Sequence, residues 1–202
     1  MHRIQKLIEQ INRTHRGLGP LVAVNILAAK AKMCILNISP AGCGKSTATD
    51  VLNELIKGHS QKYTSLTLAG LVHLKKQLKD SKDHIIIDDL GAEKSMWSRV
   101  STVTVLSTLV HTHNVYKITQ GYKIEITNFQ GSAALNIQPV MMSSMIADED
   151  WIAVIRDKVM RYYHLIRPIN PQKYMPPLNF DWGKELNEVE KPKEWGRRWY
   201  QL

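Results

Sequence analysis

The sequence predicts an α/β fold of three layers around a central, mostly parallel, five-stranded sheet. Short apolar runs such as Met33–Ile38 and Ile85–Ile87 are each followed by a longer segment with apolar residues at helical spacing. Strands and helices alternating in this way pair in parallel and are covered on both faces. The 202 residues, 44% hydrophobic and 22% charged, suffice for one such domain with short extensions. That balance excludes a disordered chain and a membrane-embedded one.

Residues 1–32 read as an N-terminal helical extension. Ile4, Leu7, Ile8 and Ile11 share one helical face, with Arg3, Lys6, Arg13 and Arg16 largely elsewhere. This helix either packs on the core or docks on a partner or membrane surface. Gly17-Leu18-Gly19-Pro20 breaks it, and alanine-rich Leu21–Lys32 forms a second helix. Residues 33–168 read as the core. Met33–Ile38 is a buried strand and Thr47–Lys57 a helix stopped by Gly58. Thr64–Leu68 is a second strand, followed by a helix at Leu71–Leu78 and a fully apolar strand at Ile85–Ile87. Val100–Val110 is helical, Tyr122–Thr127 alternates as a strand, Trp151–Met160 is helical and Arg161–Ile166 is the last strand. Met141, Met142 and Met145 suit a core or interface. Residues 169–202 form a Pro/Trp-rich C-terminal arm: four prolines exclude long regular elements, and Trp182, Trp195 and Trp199 argue against plain disorder.

Cys34 and Cys43 are too few for a disulfide framework or a zinc cluster, so the chain reads as intracellular with reduced thiols. The expected location is the cytoplasm, or the host cytoplasm if the source is a virus. No targeting segment is evident, and no apolar run reaches the roughly twenty residues of a transmembrane helix, so no membrane partner is expected. A net charge of +9 favours a polyanionic partner, most simply nucleic acid.

The chemistry concentrates at Ser39-Pro40-Ala41-Gly42-Cys43-Gly44-Lys45-Ser46-Thr47. This is the Walker A spacing with serine in place of the first glycine. The motif needs a strand to deliver a tight loop whose N–H groups wrap a phosphate, and Gly42 and Gly44 to allow close approach. Lys45 then reaches the β- and γ-phosphates, the Ser46 hydroxyl ligates Mg²⁺, and the following helix adds its dipole. The pattern predicts a P-loop nucleoside triphosphatase that takes ATP and Mg²⁺. His84-Ile85-Ile86-Ile87-Asp88-Asp89 is a Walker B pattern, a buried strand that presents carboxylates at its C-terminal edge. Asp88 is expected to hold Mg²⁺ through water beside Ser46. Asp89 stands where an acidic residue polarises the attacking water in ATPases with an extra strand between the two motifs, here assigned to Thr64–Leu68. Glu93 is the alternative carboxylate.

Asp88-Asp89-Leu90-Gly91-Ala92-Glu93-Lys94, followed by Trp97, resembles the extended Walker B of the DnaC/DnaI/IstB group of AAA+ ATPases. Those proteins load replicative helicases or assist transposition on DNA. The resemblance implies a sensor at the end of the next strand, where Thr127-Asn128 makes Asn128 the candidate. It also implies an arginine given to the neighbouring subunit's nucleotide, either Arg156 or Arg161. A homo-oligomer with ATP between subunits is therefore expected, with DNA and a helicase as partners. The lidless core with its C-terminal arm also resembles viral or plasmid motor ATPases, including genome-packaging enzymes with a portal or capsid partner. A small-molecule kinase and an ATP-binding adaptor with poor turnover are the remaining readings.

Overall fold

Cys34–Ile38 is buried at every position, as expected of a strand covered on both faces. This strand, β1, lies inside a five-stranded sheet in the computed structural model, which describes residues 3–56, 58–92, 95–119, 121–149 and 151–166. The expected C-terminal arm and Glu93 lie outside the described residues. The other strands of the sheet are β2 (Ser60–Tyr63), β3 (His84–Ile87), β6 (Ser132–Ile137) and β7 (Val159–Tyr163). All pairings are parallel, in the order β2-β3-β6-β1-β7. A separate antiparallel hairpin joins β4 (Val115–Thr119) to β5 (Tyr122–Ile126).

Helices cover both faces. On one lie α4 (Leu68–Leu78), α5 (Met96–Thr112) and α6 (Pro139–Ile146), packed with the hairpin against Leu36, Ile38, Ile85, Ile87, Leu135 and Ile137. The other carries α1 (Arg3–Thr14), α2 (Gly19–Lys30) and α3 (Lys45–Leu55). There Leu7, Ile11, Leu18, Leu21, Val22 and Ile26 meet Val51, Leu52 and Ile86 in one buried cluster. The helix pair α1–α2 thus belongs to the core packing, with Leu7 and Ile11 of α1 buried in it. The two helices come together tightly. A Cβ on Gly19 would meet the Ile8 carbonyl at 2.5 Å, and Asn12 Oδ1 accepts from the Gly17 and Gly19 amides at 3.1 and 2.9 Å.

Three boundaries differ from the sequence reading, each for a physical reason. Tyr122–Thr127 is a strand, but of the hairpin. Its alternation suits a ribbon with one buried face, whereas the fourth strand of the main sheet, β6, is buried throughout. Thr64–Leu68 is not a strand: Thr67 caps α4 by accepting from the Gly70 amide at 3.0 Å, and the edge strand lies earlier, at Ser60–Tyr63. Trp151–Met160 is helical only as a π-type turn at Trp151–Ile155, after which β7 begins at Val159. Burial pushes the Cys34 thiol up to about 12, so it serves as a small apolar core group. Among the described residues no helix is long and apolar enough to cross a membrane.

Ile11→Ala, far from any candidate site, should destabilise the fold by roughly 2–5 kcal/mol, measured by urea unfolding. If the helix pair were a loose extension, the unfolding midpoint would not move. Burial also lowers His84 to about 4, and shifts His15 and His164 in the same direction. The unfolded chain therefore takes up these protons first, and stability falls as pH drops from about 6.5 towards 4. His84 alone contributes roughly 3 kcal/mol of this loss. Unfolding curves at pH 7 and 4.5 should show His84→Gln to be less acid-sensitive than wild type.

Candidate functional site

Because the sheet is parallel, the loop after β1 and the residues after β3 emerge at the same C-terminal edge. The Ser39 amide donates to the Ile137 carbonyl at 3.1 Å, which anchors the loop to the end of β6. Gly42 and Gly44 have φ of 76° and 80°, a left-handed conformation that glycine adopts without strain. Gly44 is the N-cap of α3 and offers no side-chain acceptor, and the first turn carries no acidic residue. The opening N–H groups of α3 are thus available to an anion from outside. Lys45 begins that helix and folds back over the loop, its Nζ donating to the Ser39 and Pro40 carbonyls at 2.5 and 2.9 Å. Burial lowers its pKa, opposed by Cys43, Asp89 and Asp88. Ser46 is exposed, Thr47 half-buried and Cys43 buried.

Asp88 follows β3 and is held from three sides. Its Oδ1 accepts from Thr49 Oγ1 on α3 at 2.9 Å and from Asn136 Nδ2 on β6 at 3.2 Å. Its Oδ2 lies 3.5 Å from Lys62 Nζ on β2, which also meets Asp50 at 2.5 Å. Asp89 is exposed, and its Oδ1 accepts from the Gly91 amide at 2.8 Å. Both backbone amides are fixed, Asp88 N to the Tyr63 carbonyl and Asp89 N to that of Thr64, each at 2.9 Å. The pair is therefore aimed by the edge strand beside it. The arrangement places an ammonium group and free helix N–H groups beside a carboxylate pair. Such a site can take an anion and a hard cation together.

His164, one residue past β7, closes the underside of this edge. Its amide donates to the Ile38 carbonyl at 2.9 Å, and its ring is buried. Burial lowers the pKa of the ring, opposed by the Ile166 backbone, and the nearby Lys45 charge lowers it further.

The remaining expected residues lie elsewhere. Asn128 is not at this edge. It has φ of 56° in the turn after β5, and its Nδ2 donates to Asp80 Oδ1 at 2.8 Å just ahead of β3, at the opposite end of the sheet. The strand that enters the site is β6, so Asn136, 1% exposed and bonded to Asp88, occupies the place expected of Asn128. Arg156 precedes β7 at that same far end and pairs with Asp157 at 3.3 Å. Arg161 is exposed midway along β7, opposite Leu36. Thr49, Lys62 and Asn136 were not legible as site residues. Thr49 lies four residues after Lys45, on the same face of α3, and offered the one usable signal.

No family model matches this chain, and no curated protein matches it. Among solved structures, the apo A form of the NrS-1 C-terminal region is similar, with 13% sequence identity and a TM-score of 0.43. The match covers 91% of this chain and 42% of that one, so the chain spans less than half of that neighbour's length.

Thr49→Val retains the shape of the side chain and removes a hydroxyl bonded to a carboxylate. It should cost about 2 kcal/mol in urea unfolding without a change in m-value. A change within error of zero would mean that water replaces Thr49 at Asp88.

Proposed function

We propose that this chain is a Mg²⁺-dependent ATPase of the P-loop class, RecA/AAA+-like, that works on DNA. The observation that carries the proposal is the junction at the sheet edge. The Gly42/Gly44 loop leads straight into an uncapped α3, Lys45 lies over that loop, and Asp88 and Asp89 stand beside it. The strand order supports the same reading, since β6 separates the strand that feeds the loop from the strand that ends in the carboxylates.

In this reading the loop amides and the α3 N-terminus receive the triphosphate, and Lys45 exchanges its two carbonyl contacts for phosphate oxygens. Ser46 and Asp88 would hold Mg²⁺, which supplies charge neutralisation on the phosphates. The donors suit that ion: a hydroxyl and a carboxylate are hard oxygen ligands. Asp89 is exposed, its Oδ1 accepting from the Gly91 amide, and serves as the base that orients the attacking water. Asn136 takes the sensor role in place of Asn128. Arg156 and Arg161, both away from the chain's own loop, suit an arginine offered to a neighbouring copy in a homo-oligomer.

The β4–β5 hairpin supports nucleic acid as the partner. Tyr116 and Ile118 are exposed on it, and Lys123 Nζ lies 4.8 Å from the Tyr116 ring centre. Glu125 is held below the usual carboxylate range first by Lys123, and further by Lys75 and Lys79 on α4. Cations around an exposed aromatic suit phosphates and a stacked base. A helicase loader and a packaging motor both fit this description.

Phosphate release from ATP, with and without single- and double-stranded DNA, tests the proposal. Wild type should turn over ATP only with Mg²⁺, and Lys45→Ala should abolish nucleotide binding. Asp89→Asn should keep binding and lose turnover by 10²–10⁴-fold, the usual scale for a general base. Phosphate transfer only to an added acceptor would make the chain a kinase. Equal turnover by Asp89→Asn and wild type would remove Asp89 from the mechanism.

A further inference from the structure

An asparagine in the middle of an apolar helix face must be hydrogen-bonded or it destabilises the fold. Asn25 is such a residue. It is 2% exposed on α2, among Leu21, Val22 and Ile26. Its Nδ2 donates to the Leu21 carbonyl at 2.7 Å and to Asn37 Oδ1 on β1 at 3.0 Å. Asn37, fully buried, uses its own Nδ2 twice, to Asn25 Oδ1 at 2.9 Å and to Asn136 Oδ1 at 3.0 Å. Asn136 Nδ2 then donates to Asp88 Oδ1 at 3.2 Å. Three amides on three elements thus form an unbroken line from the N-terminal helix pair, across the sheet, to the carboxylate.

The polarity of this line is set at its end. An ionised carboxylate only accepts, so Asn136 must present its NH₂ to Asp88 and its carbonyl to Asn37. Asn37 must then answer with NH₂, and its second N–H goes to Asn25. Both N–H groups of Asn25 and of Asn37 are used, so neither amide can flip without leaving a buried group unpaired. Apolar side chains of equal size would fill the same space at little cost. Filling the interior does not account for the line, whereas fixing the Asp88 carboxylate does.

We propose that Asn25 and Asn37 are positioning residues for Asp88, and that the N-terminal helix pair thereby belongs to the cation side of the site. The proposal rests on the reading of Asp88 as the carboxylate that serves Mg²⁺. Without the line, Asn136 is free to turn, and Asp88 Oδ1 keeps only Thr49 as a fixed donor.

Two measurements on the full chain test this. In the first, the Mg²⁺ concentration for half-maximal ATP turnover is compared between wild type, Asn25→Ala, the paired Asn25→Leu/Asn37→Leu variant and Ile26→Val. The asparagine variants should need about tenfold more Mg²⁺, with turnover at saturating Mg²⁺ within twofold of wild type. Ile26→Val, a packing change next to Asn25, should not shift the requirement. An equal requirement in all four overturns the proposal, as does an equal shift in Ile26→Val. The second measurement needs no activity: the side-chain amide resonances of Asn25 are followed by NMR on Asp88→Asn. A shift at Asn25, three hydrogen bonds from the change, supports the coupling, and a shift confined to Asn136 overturns it. If wild type shows no Mg²⁺-dependent turnover, the ATPase reading fails by itself, and the NMR result still decides whether α2 and Asp88 are linked.

Discussion

The carboxylate of Asp88 is the group on which the architecture converges. One of its oxygens is shared by a hydroxyl from α3 and an amide from β6, and the other faces a lysine from β2. Those elements come from three parts of the chain, and only the β2-β3-β6-β1-β7 order puts them around the end of β3. A partly buried carboxylate must find donors, since burial without them is costly. Satisfying Asp88 therefore also fixes the register of β3 against β6 and the approach of α3.

The two faces of the sheet solve different problems. The α4–α6 face is mainly apolar, with Ser101, Thr102 and Ser107 of α5 also buried, and its cluster takes in β4, β5 and the turn at Trp151. The α1–α3 face alternates apolar patches with the asparagine line, so it combines packing with direction. Parallel strands give no local turn to hold them in register. Residues such as Asn37 and Asn136, opposite one another in the β1–β6 pairing, penalise a slip by one residue. The polar line thus gives the sheet a specificity that apolar side chains alone would not.

The sequence made the fold class, the β1–loop–α3 unit and the end of β3 legible because each has a strong local signature. Met33–Ile38 and Ile85–Ile87 are apolar without alternation, and glycines mark the loop between strand and helix. Legibility ended where local and global signals conflict. Ser132–Ile137 is a central strand in which serine, two alanines and an asparagine, residues with little strand preference, outnumber Leu135 and Ile137, so its own composition announces it only weakly. Tyr122–Ile126 has ideal strand chemistry but lies outside the main sheet. Confusing the two placed Asn128 at the site, whereas it lies at the opposite end of the sheet and Asn136 of β6 bonds to Asp88. Thr49, Lys62 and Asn136 share no motif, because pairing across the sheet rather than sequence distance brings them together. For α1 the sequence left core packing and surface docking side by side, because an amphipathic helix carries no mark of which surface it will cover.

The charges at the sheet edge explain why one kind of ligand suits the site better than its parts would separately. Lys45 and the open N-terminus of α3 favour an anion, and the ammonium group donates to two carbonyls of its own loop. Asp88 and Asp89 pull the other way: both act on Lys45, yet neither is an acceptor in its hydrogen bonds. Lys62 offsets part of that negative charge, but it is shared with Asp50. An isolated phosphate would satisfy the lysine and repel the carboxylates, and an isolated divalent cation would do the reverse. A polyphosphate with a divalent cation on its oxygens answers both demands at once. In the proposed reading the carboxylates and the loop act as one site for that pair, and positioning of Asp88 governs affinity for both partners together.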